Sequence, residues 1–198
     1  IAALTEPYAE THPFAYPAEE AEDLAPVLRR HDPDPGRLVD GWAKRFVGTS
    51  GPTRTADLLA RITRAIQAEF RYEARQAAGT RPAPETLRLG GGACRDLALL
   101  MMEACRSLGL AARFVSGYLI QLTADVKSLD GPSGPAADFT DLHAWCEVYL
   151  PGAGWIGLDP TSGLFAGEGH IPLAASPEPS SAAPISGALE PCECEFGH

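Results

Sequence analysis

The sequence predicts an α+β domain, with helices first and antiparallel strands after them. Two observations carry that expectation. Apolar residues recur at helical spacing at Leu58, Leu59, Ile62, Ile66 and Phe70, and again from Cys94 to Leu108. Beyond that point the period changes to two, with Ala112, Phe114, Tyr118, Ile120 and Leu122 on one face. Helical runs followed by strand runs define this class of architecture.

The elements follow in chain order. Residues 1–23 are acidic, carry Pro13 and Pro17, and read as an extended lead-in. A short helix is expected around Leu38–Phe46. The clear helix through Leu58 and Phe70 has Thr53 or Thr55 as its candidate cap. Gly79, Pro82 and Pro84 make 77–90 a loop. The helix from Cys94 ends at Gly109, a good residue just past a helix end. A strand spans Ala112 to Leu122, and 123–140 is a long loop, a natural lid or specificity segment. Strands then run from about His143 to Leu150 and from Gly154 to Asp159. Beyond Thr161 the chain reads as loop, and 174–198 as an irregular tail rich in Pro, Ser and Ala. The expected organisation is lead-in 1–23, catalytic domain 24–173 and tail 174–198.

Composition limits the functions open to the chain. Its 198 residues carry 26 acidic and 16 basic side chains, for a net charge of −10. That length suits one domain, or one domain with tails. With 45% hydrophobic and 21% charged residues, global disorder is excluded. No apolar run reaches the roughly 18 residues of a membrane span. A pI near 4.9 argues against nucleic acid as the partner. The first residue is Ile, which reads as a fragment or processed form. Five cysteines at irregular spacing make a poor disulfide framework, so reduced thiols and a cytoplasmic setting are expected. Cys192-Glu193-Cys194 is a tail feature. No cofactor is implied, and the oligomeric state is not legible.

Cys94 is the most informative residue. Gly90, Gly91 and Gly92 precede it and an apolar helix follows, so its sulfur sits at a helix N-terminus. Unpaired N–H groups and the helix dipole favour negative charge there, and such a position lowers a thiol pKa. The competing reading is a small buried core residue. Asp96, in the first turn, suits the dipole and ties down the loop. Cys105 and Cys146 read as packing.

His143 begins one strand and Asp159 ends the next. If Pro151-Gly152-Ala153 is a three-residue turn, Leu150 pairs with Gly154, Tyr149 with Trp155, Glu147 with Gly157 and Trp145 with Asp159. His143 is then the diagonal neighbour of Asp159 on one sheet face, about 7–8 Å away and within side-chain reach. A two- or four-residue turn would send Asp159 to the other face. An Asp beside a His fixes the ring tautomer, and the ring's other nitrogen can take a proton from a thiol. Cys94, His143 and Asp159 thus form a candidate triad. Taken singly, His143 reads as a strand-end histidine and Asp159 as a turn residue. A metal site built from the same three residues has one thiolate and no close-spaced ligand pair, which speaks against it.

Three stretches together resemble the bacterial transglutaminase-like domain. They are Gly91-Gly92-Ala93-Cys94-Arg95-Asp96-Leu97-Ala98 with Cys105 to Tyr118, Asp141-Leu142-His143-Ala144-Trp145, and Pro151 to Thr161. The likeness runs from about 55 to 172 and includes His170-Ile171. It implies a papain-like, transglutaminase-like core, with the nucleophile helix packed on an antiparallel sheet. It implies Cys94 as nucleophile, His143 as general base and acid, and Asp159 as orienting group. It also implies a preceding β-sandwich region, with 1–23 as the junction. The activity implied is thioester-forming acyl transfer on peptide or side-chain amides. Water as acceptor gives a protease or amidase, which is favoured slightly, and an amine gives a cross-linker. A binding scaffold that kept the fold is the non-catalytic alternative.

The sequence departs from that pattern in places. Ala93 stands where Val is usual, Arg95 where Gln is, Leu97 where Phe is and Leu99 where His is common. Ala174-Ala175-Ser176-Pro177 lacks an Arg-Asp pair. Arg95 reads either as a fixed charge beside the thiol, favouring thiolate or selecting acidic substrates, or as an exposed helix-start residue paired with Glu. Tyr72 is a candidate oxyanion donor. Trp145 and Trp155 read as cleft walls or as ordinary sheet aromatics.

Overall fold

The computed structural model describes residues 3–49, 51–122 and 137–184. Five α-helices lie among the described residues: α1 Ala18–Leu28, α2 Leu38–Lys44, α3 Thr55–Glu69, α4 Ala83–Leu89 and α5 Cys94–Ser107. Four two-residue strands make two small sheets. β1 (Thr11–His12) pairs with β2 (Thr53–Arg54), and β3 (Arg71–Tyr72) runs parallel to β4 (Gly91–Gly92). The main sheet holds β5 (Ala112–Gln121), β6 (Phe139–Leu150), β7 (Gly154–Asp159), β8 (Leu164–Phe165) and β9 (His170–Ser176). Its order is β8-β7-β6-β5-β9 and every pairing is antiparallel.

The core forms where α3 and α5 meet the sheet. Leu58, Leu59, Ile62 and Ile66 of α3 are fully buried, which accounts for their helical spacing. Every residue of α5 from Asp96 to Arg106 is buried, so this helix is enclosed on all sides. Phe114, Ala144, Cys146, Val148 and Leu158 of the sheet join the same cluster. Cys105 and Cys146 are packing residues, as expected.

An enclosed helix that carries Glu103 and Arg106 must satisfy both charges. Glu103 accepts from Arg30 Nε at 2.9 Å and from the N–H groups of His31 and Asp32 at 2.9 and 3.2 Å. Arg106 donates to Ala112 O at 3.0 and 2.9 Å, to Arg29 O at 2.8 Å and to Pro177 O at 2.8 Å.

The hairpin register is the expected one. Leu150 pairs with Gly154, Tyr149 with Trp155 and Glu147 with Gly157. Pro151-Gly152-Ala153 is the turn, and Gly152 takes the positive φ of 83° that the reversal needs.

Four expectations need correction. The lead-in is not extended throughout, because α1 begins at Ala18 and runs across the boundary expected after residue 23. Its earlier residues are tied to the sheet: Glu6 N–H donates to Pro151 O at 2.8 Å, and Tyr16 Oη donates to Tyr149 O at 2.9 Å. Second, 77–90 is not all loop. α4 begins at Ala83 with Pro84 in its first turn, where the missing N–H costs nothing, and Gly90 closes it at φ 65°. Third, the chain after Thr161 returns to the sheet as β8 and β9, and a short 3-10 helix follows at Pro179–Ala182. Residues 174–182 therefore belong to the fold. Fourth, neither threonine caps α3: Thr53 Oγ1 accepts from the Gly48 N–H, and Thr55 Oγ1 donates to Ala9 O. Most of the expected 123–140 loop, and Cys192 with Cys194, lie outside the described residues. No helix among the described residues is long and apolar enough to cross a membrane.

Candidate active site

α5 begins at Cys94, directly after β4. The turn into it is held by Asp96, which is fully buried. Its carboxylate accepts from Arg75 Nε and Nη2, both at 2.9 Å, from the Arg81 N–H at 2.7 Å and from the Ala93 N–H at 3.0 Å. Burial alone would raise the Asp96 pKa, but these donors bring it below the ordinary carboxylate value. A Cβ on Gly92 would come within 2.7 Å of the Asp96 Cβ, so the approach requires glycine there. The glycines before Cys94 thus let a buried carboxylate brace the first turn of the helix.

His143 and Asp159 meet across the hairpin, with Nε2 to Oδ2 at 3.1 Å. Their side chains are 8% and 1% exposed. Burial pushes the His143 pKa down. Hydrogen bonds to Asp159 and Cys94 outweigh this and lift it from 6.5 to about 9. Burial pushes Asp159 up, yet the donors His143 and His170 hold it far below the carboxylate range. Asp159 Oδ1 also accepts the Thr161 N–H at 2.9 Å. The structure thus joins His143 to Asp159 by a hydrogen bond and places Cys94 on the same cleft as His143.

The site opens on a cleft of about 370 Å³. Cys94 and His143 lie along it, Phe114 and Leu142 are among the apolar side chains, and Ala182 and Pro184 come from the segment after β9.

The remaining candidates fall in different places. Tyr72 is 59% exposed on β3, beside Gly92. Its hydroxyl pKa is raised by partial burial and then by the charges of Cys94 and Asp141. Arg95 lines the cleft next to Cys94, and its guanidinium is bonded to loop carbonyls rather than to a Glu. Its Nε donates to Gly79 O at 2.8 Å, and its Nη2 donates to Arg75 O and Ala77 O at 2.8 and 2.7 Å. The guanidinium thus laces the 75–79 loop to the helix start. Neither tryptophan lines the cleft. Trp145 is 1% exposed and stacks on the His143 ring at 6.3 Å. Trp155 sits toward the hairpin turn, against Tyr149, with the Arg113 guanidinium 4.0 Å over its ring.

His170 joins the cluster although no local pattern singles it out. Its Nε2 lies 3.1 Å from Asp159 Oδ2. A signal exists only in the motif His170-Ile171, because nothing nearby marks a histidine at the start of a short strand. Among the described residues, His143, Asp159 and His170 are the group whose potential ligand atoms lie within 4.8 Å of one another. Both nitrogens point at one carboxylate oxygen at hydrogen-bond distance, an arrangement that N–H donors satisfy without an ion.

Residues 40–160 match the family model of the transglutaminase-like superfamily, and the chain belongs to that family. Over 191 residues it is 25% identical to an uncharacterized protein of Mycobacterium tuberculosis, covering 93% of this chain and 57% of that one. The chain thus spans just over half the length of that relative. A protein-glutamine gamma-glutamyltransferase of Pseudomonas aeruginosa is 33% identical over 75 residues, 35% of this chain and 10% of that one. Among solved structures, a "Putative Cysteine Protease" from Cytophaga hutchinsonii superposes with a TM-score of 0.65 at 25% identity, covering 88% of this chain and 53% of that one. The periplasmic domain of TgpA from Pseudomonas aeruginosa gives 0.51 at 23% identity, over 72% and 48%, a likeness of fold. The papain-like, transglutaminase-like architecture expected from the sequence is thus the one observed.

Proposed function

We propose that this protein is a cysteine-dependent acyl-transfer enzyme that hydrolyses peptide or side-chain amides. One observation carries the reading: His143, hydrogen-bonded to the Asp159 carboxylate, shares a cleft with Cys94, the first residue of α5. The thiolate is the nucleophilic form of a cysteine, and an imidazole oriented by a carboxylate can take the thiol proton.

The steps follow from these groups. The Cys94 thiolate attacks the amide carbonyl carbon, forming a C–S bond and a tetrahedral oxyanion. The N-terminal end of the α5 dipole favours negative charge at this position. Collapse breaks the C–N bond, and His143 gives its proton to the leaving amine. A thioester remains. His143, now neutral, takes a proton from water as the water attacks the thioester carbonyl. The C–S bond breaks, the acid departs and the thiolate–imidazolium pair returns. Asp159 orients the ring throughout and stays ionised.

The Cytophaga neighbour named as a cysteine protease, similar over most of this chain, supports water as the acceptor. The Pseudomonas gamma-glutamyltransferase favours a second reading, in which a primary amine resolves the thioester, but the similarity covers 35% of this chain. One experiment separates them: a peptide library incubated with the protein, with and without a primary amine, and read by mass spectrometry. New carboxylates that vanish with Cys94→Ala support hydrolysis, and amine adducts support cross-linking. No product above the Cys94→Ala background, together with iodoacetamide labelling of Cys94 at pH 6 no faster than a free thiol, overturns both.

A further inference from the structure

Asp159 holds two imidazoles on one oxygen. His143 Nε2 and His170 Nε2 each lie 3.1 Å from Oδ2. The protonated nitrogen of His170 follows from its other contact. Its Nδ1 accepts the Gly167 N–H at 3.2 Å, so the proton resides on Nε2, which donates to Asp159. The His170 side chain is 11% exposed, and its ring meets Trp145 edge-on at 5.2 Å.

The backbone is shaped to deliver this ring. Ala166 N–H donates to Gly157 O at 2.9 Å, and His170 N–H donates to Gly167 O at 3.0 Å, which curls 166–170 back toward the hairpin. A Cβ on Gly157 would meet the Ala166 Cβ at 2.5 Å, so the strap can lie against β7 only over glycine. His170 lies beyond residues 40–160, where the family model matches.

We propose that His170 is a positioning residue: by donating to the carboxylate oxygen that His143 also uses, it fixes Asp159 and shares its charge, leaving His143 able to pass its proton on. The inference rests on the reading of Cys94, His143 and Asp159 as the reacting set. Among the described residues, the titratable and charged groups around the cluster include Cys94 and Arg95 from α5, His143 from β6, Asp159 from β7 and His170 from β9. A carboxylate with fewer donors pulls harder on the one that remains. Without His170, His143 holds its proton more tightly. The thioester step needs a neutral ring, so it slows about tenfold for every pH unit by which the ring's titration rises.

Two variants test this. His170→Phe keeps a ring against Trp145 and removes the donor, whereas His170→Gln keeps an N–H near the Nε2 position. The readouts are the titration of the His143 ring followed by NMR, and kcat and KM for amide hydrolysis. For Phe the expected result is a His143 titration about one pH unit higher and kcat at neutral pH about tenfold lower, at unchanged KM. For Gln both stay within twofold of wild type. A His143 titration that does not move in the folded Phe variant overturns the proposal. So do equal losses of kcat in both variants with the titration fixed, which would mark a packing role. The NMR reading needs no turnover. If the titration moves as stated but the wild type cleaves no amide, the hold on Asp159 stands and the reading of Cys94 as nucleophile falls.

Discussion

Replacing Asp159 by Asn keeps the side chain's shape and removes its charge. Burial lowers the His143 pKa, but Asp159 and Cys94 raise it overall from 6.5 to about 9. A group whose folded pKa exceeds its unfolded value stabilises the fold while protonated. That contribution is complete below the unfolded value of 6.5 and is lost as pH climbs through 9. The gap corresponds to about 3 kcal/mol. The depressed pKa of Asp159 reports the same bond from the other side, so it is not added. At this chain length each kcal/mol moves Tm by roughly 2–4 °C, so the wild type loses about 6–12 °C from this group between about pH 6 and pH 10. Asp159→Asn removes most of that pH dependence and unfolds at lower temperature at pH 6. Urea unfolding of both proteins across this range, followed by tryptophan fluorescence, measures the difference. If the two stability curves run parallel, the His143–Asp159 bond does not carry the charge stabilisation assigned to it.

Three further outcomes are expected. Asp96→Ala leaves the Arg75 guanidinium, whose side chain is 16% exposed, without its carboxylate and frees the Ala93 and Arg81 N–H groups. Stability should fall by about 3–5 kcal/mol in denaturant titrations, and a loss under about 1 kcal/mol would show that the helix start is braced by something else. Arg95→Ala removes three bonds to loop carbonyls. Limited proteolysis near Gly79 should quicken while the relative rates on acidic and neutral peptides stay level; a changed charge preference would show that the guanidinium acts on substrate from the cleft wall. Gly157→Ala forces the strap at Ala166 to move, costing about 1–3 kcal/mol. It should raise the His143 titration in the direction of His170→Phe, as read by NMR.

The parts of this fold that the sequence made legible share one property: a local period or turn dictates them. Leu58 to Ile66 show their buried face at a spacing only a helix explains. The turn Pro151-Gly152-Ala153 sets the register, and the register puts Asp159 on the face of His143 before any coordinates are known. What escaped depends on distant contacts. Pro82 and Pro84 look like loop residues because their helix-starting use needs only the first turn. β9 pairs with β5 from the sheet edge, and Pro172 with the exposed Leu173 hides the strand pattern. Arg95 finds carbonyls on a loop nearly twenty residues earlier in the chain, and His170 finds a carboxylate beyond two intervening strands. Neither partner can be inferred from neighbours in sequence.

The guanidinium of Arg106 also sets the size of the piece of chain that can stand alone. Its acceptors come from residue 29, before the family match begins, and residue 177, after it ends. A fragment trimmed to 40–160 would keep the Cys94, His143 and Asp159 side chains, yet it would strip a cation at the centre of the protein of two of its oxygen partners. Trimming should therefore respect the reach of that one side chain, with both flanks kept, rather than the limits of recognisable likeness.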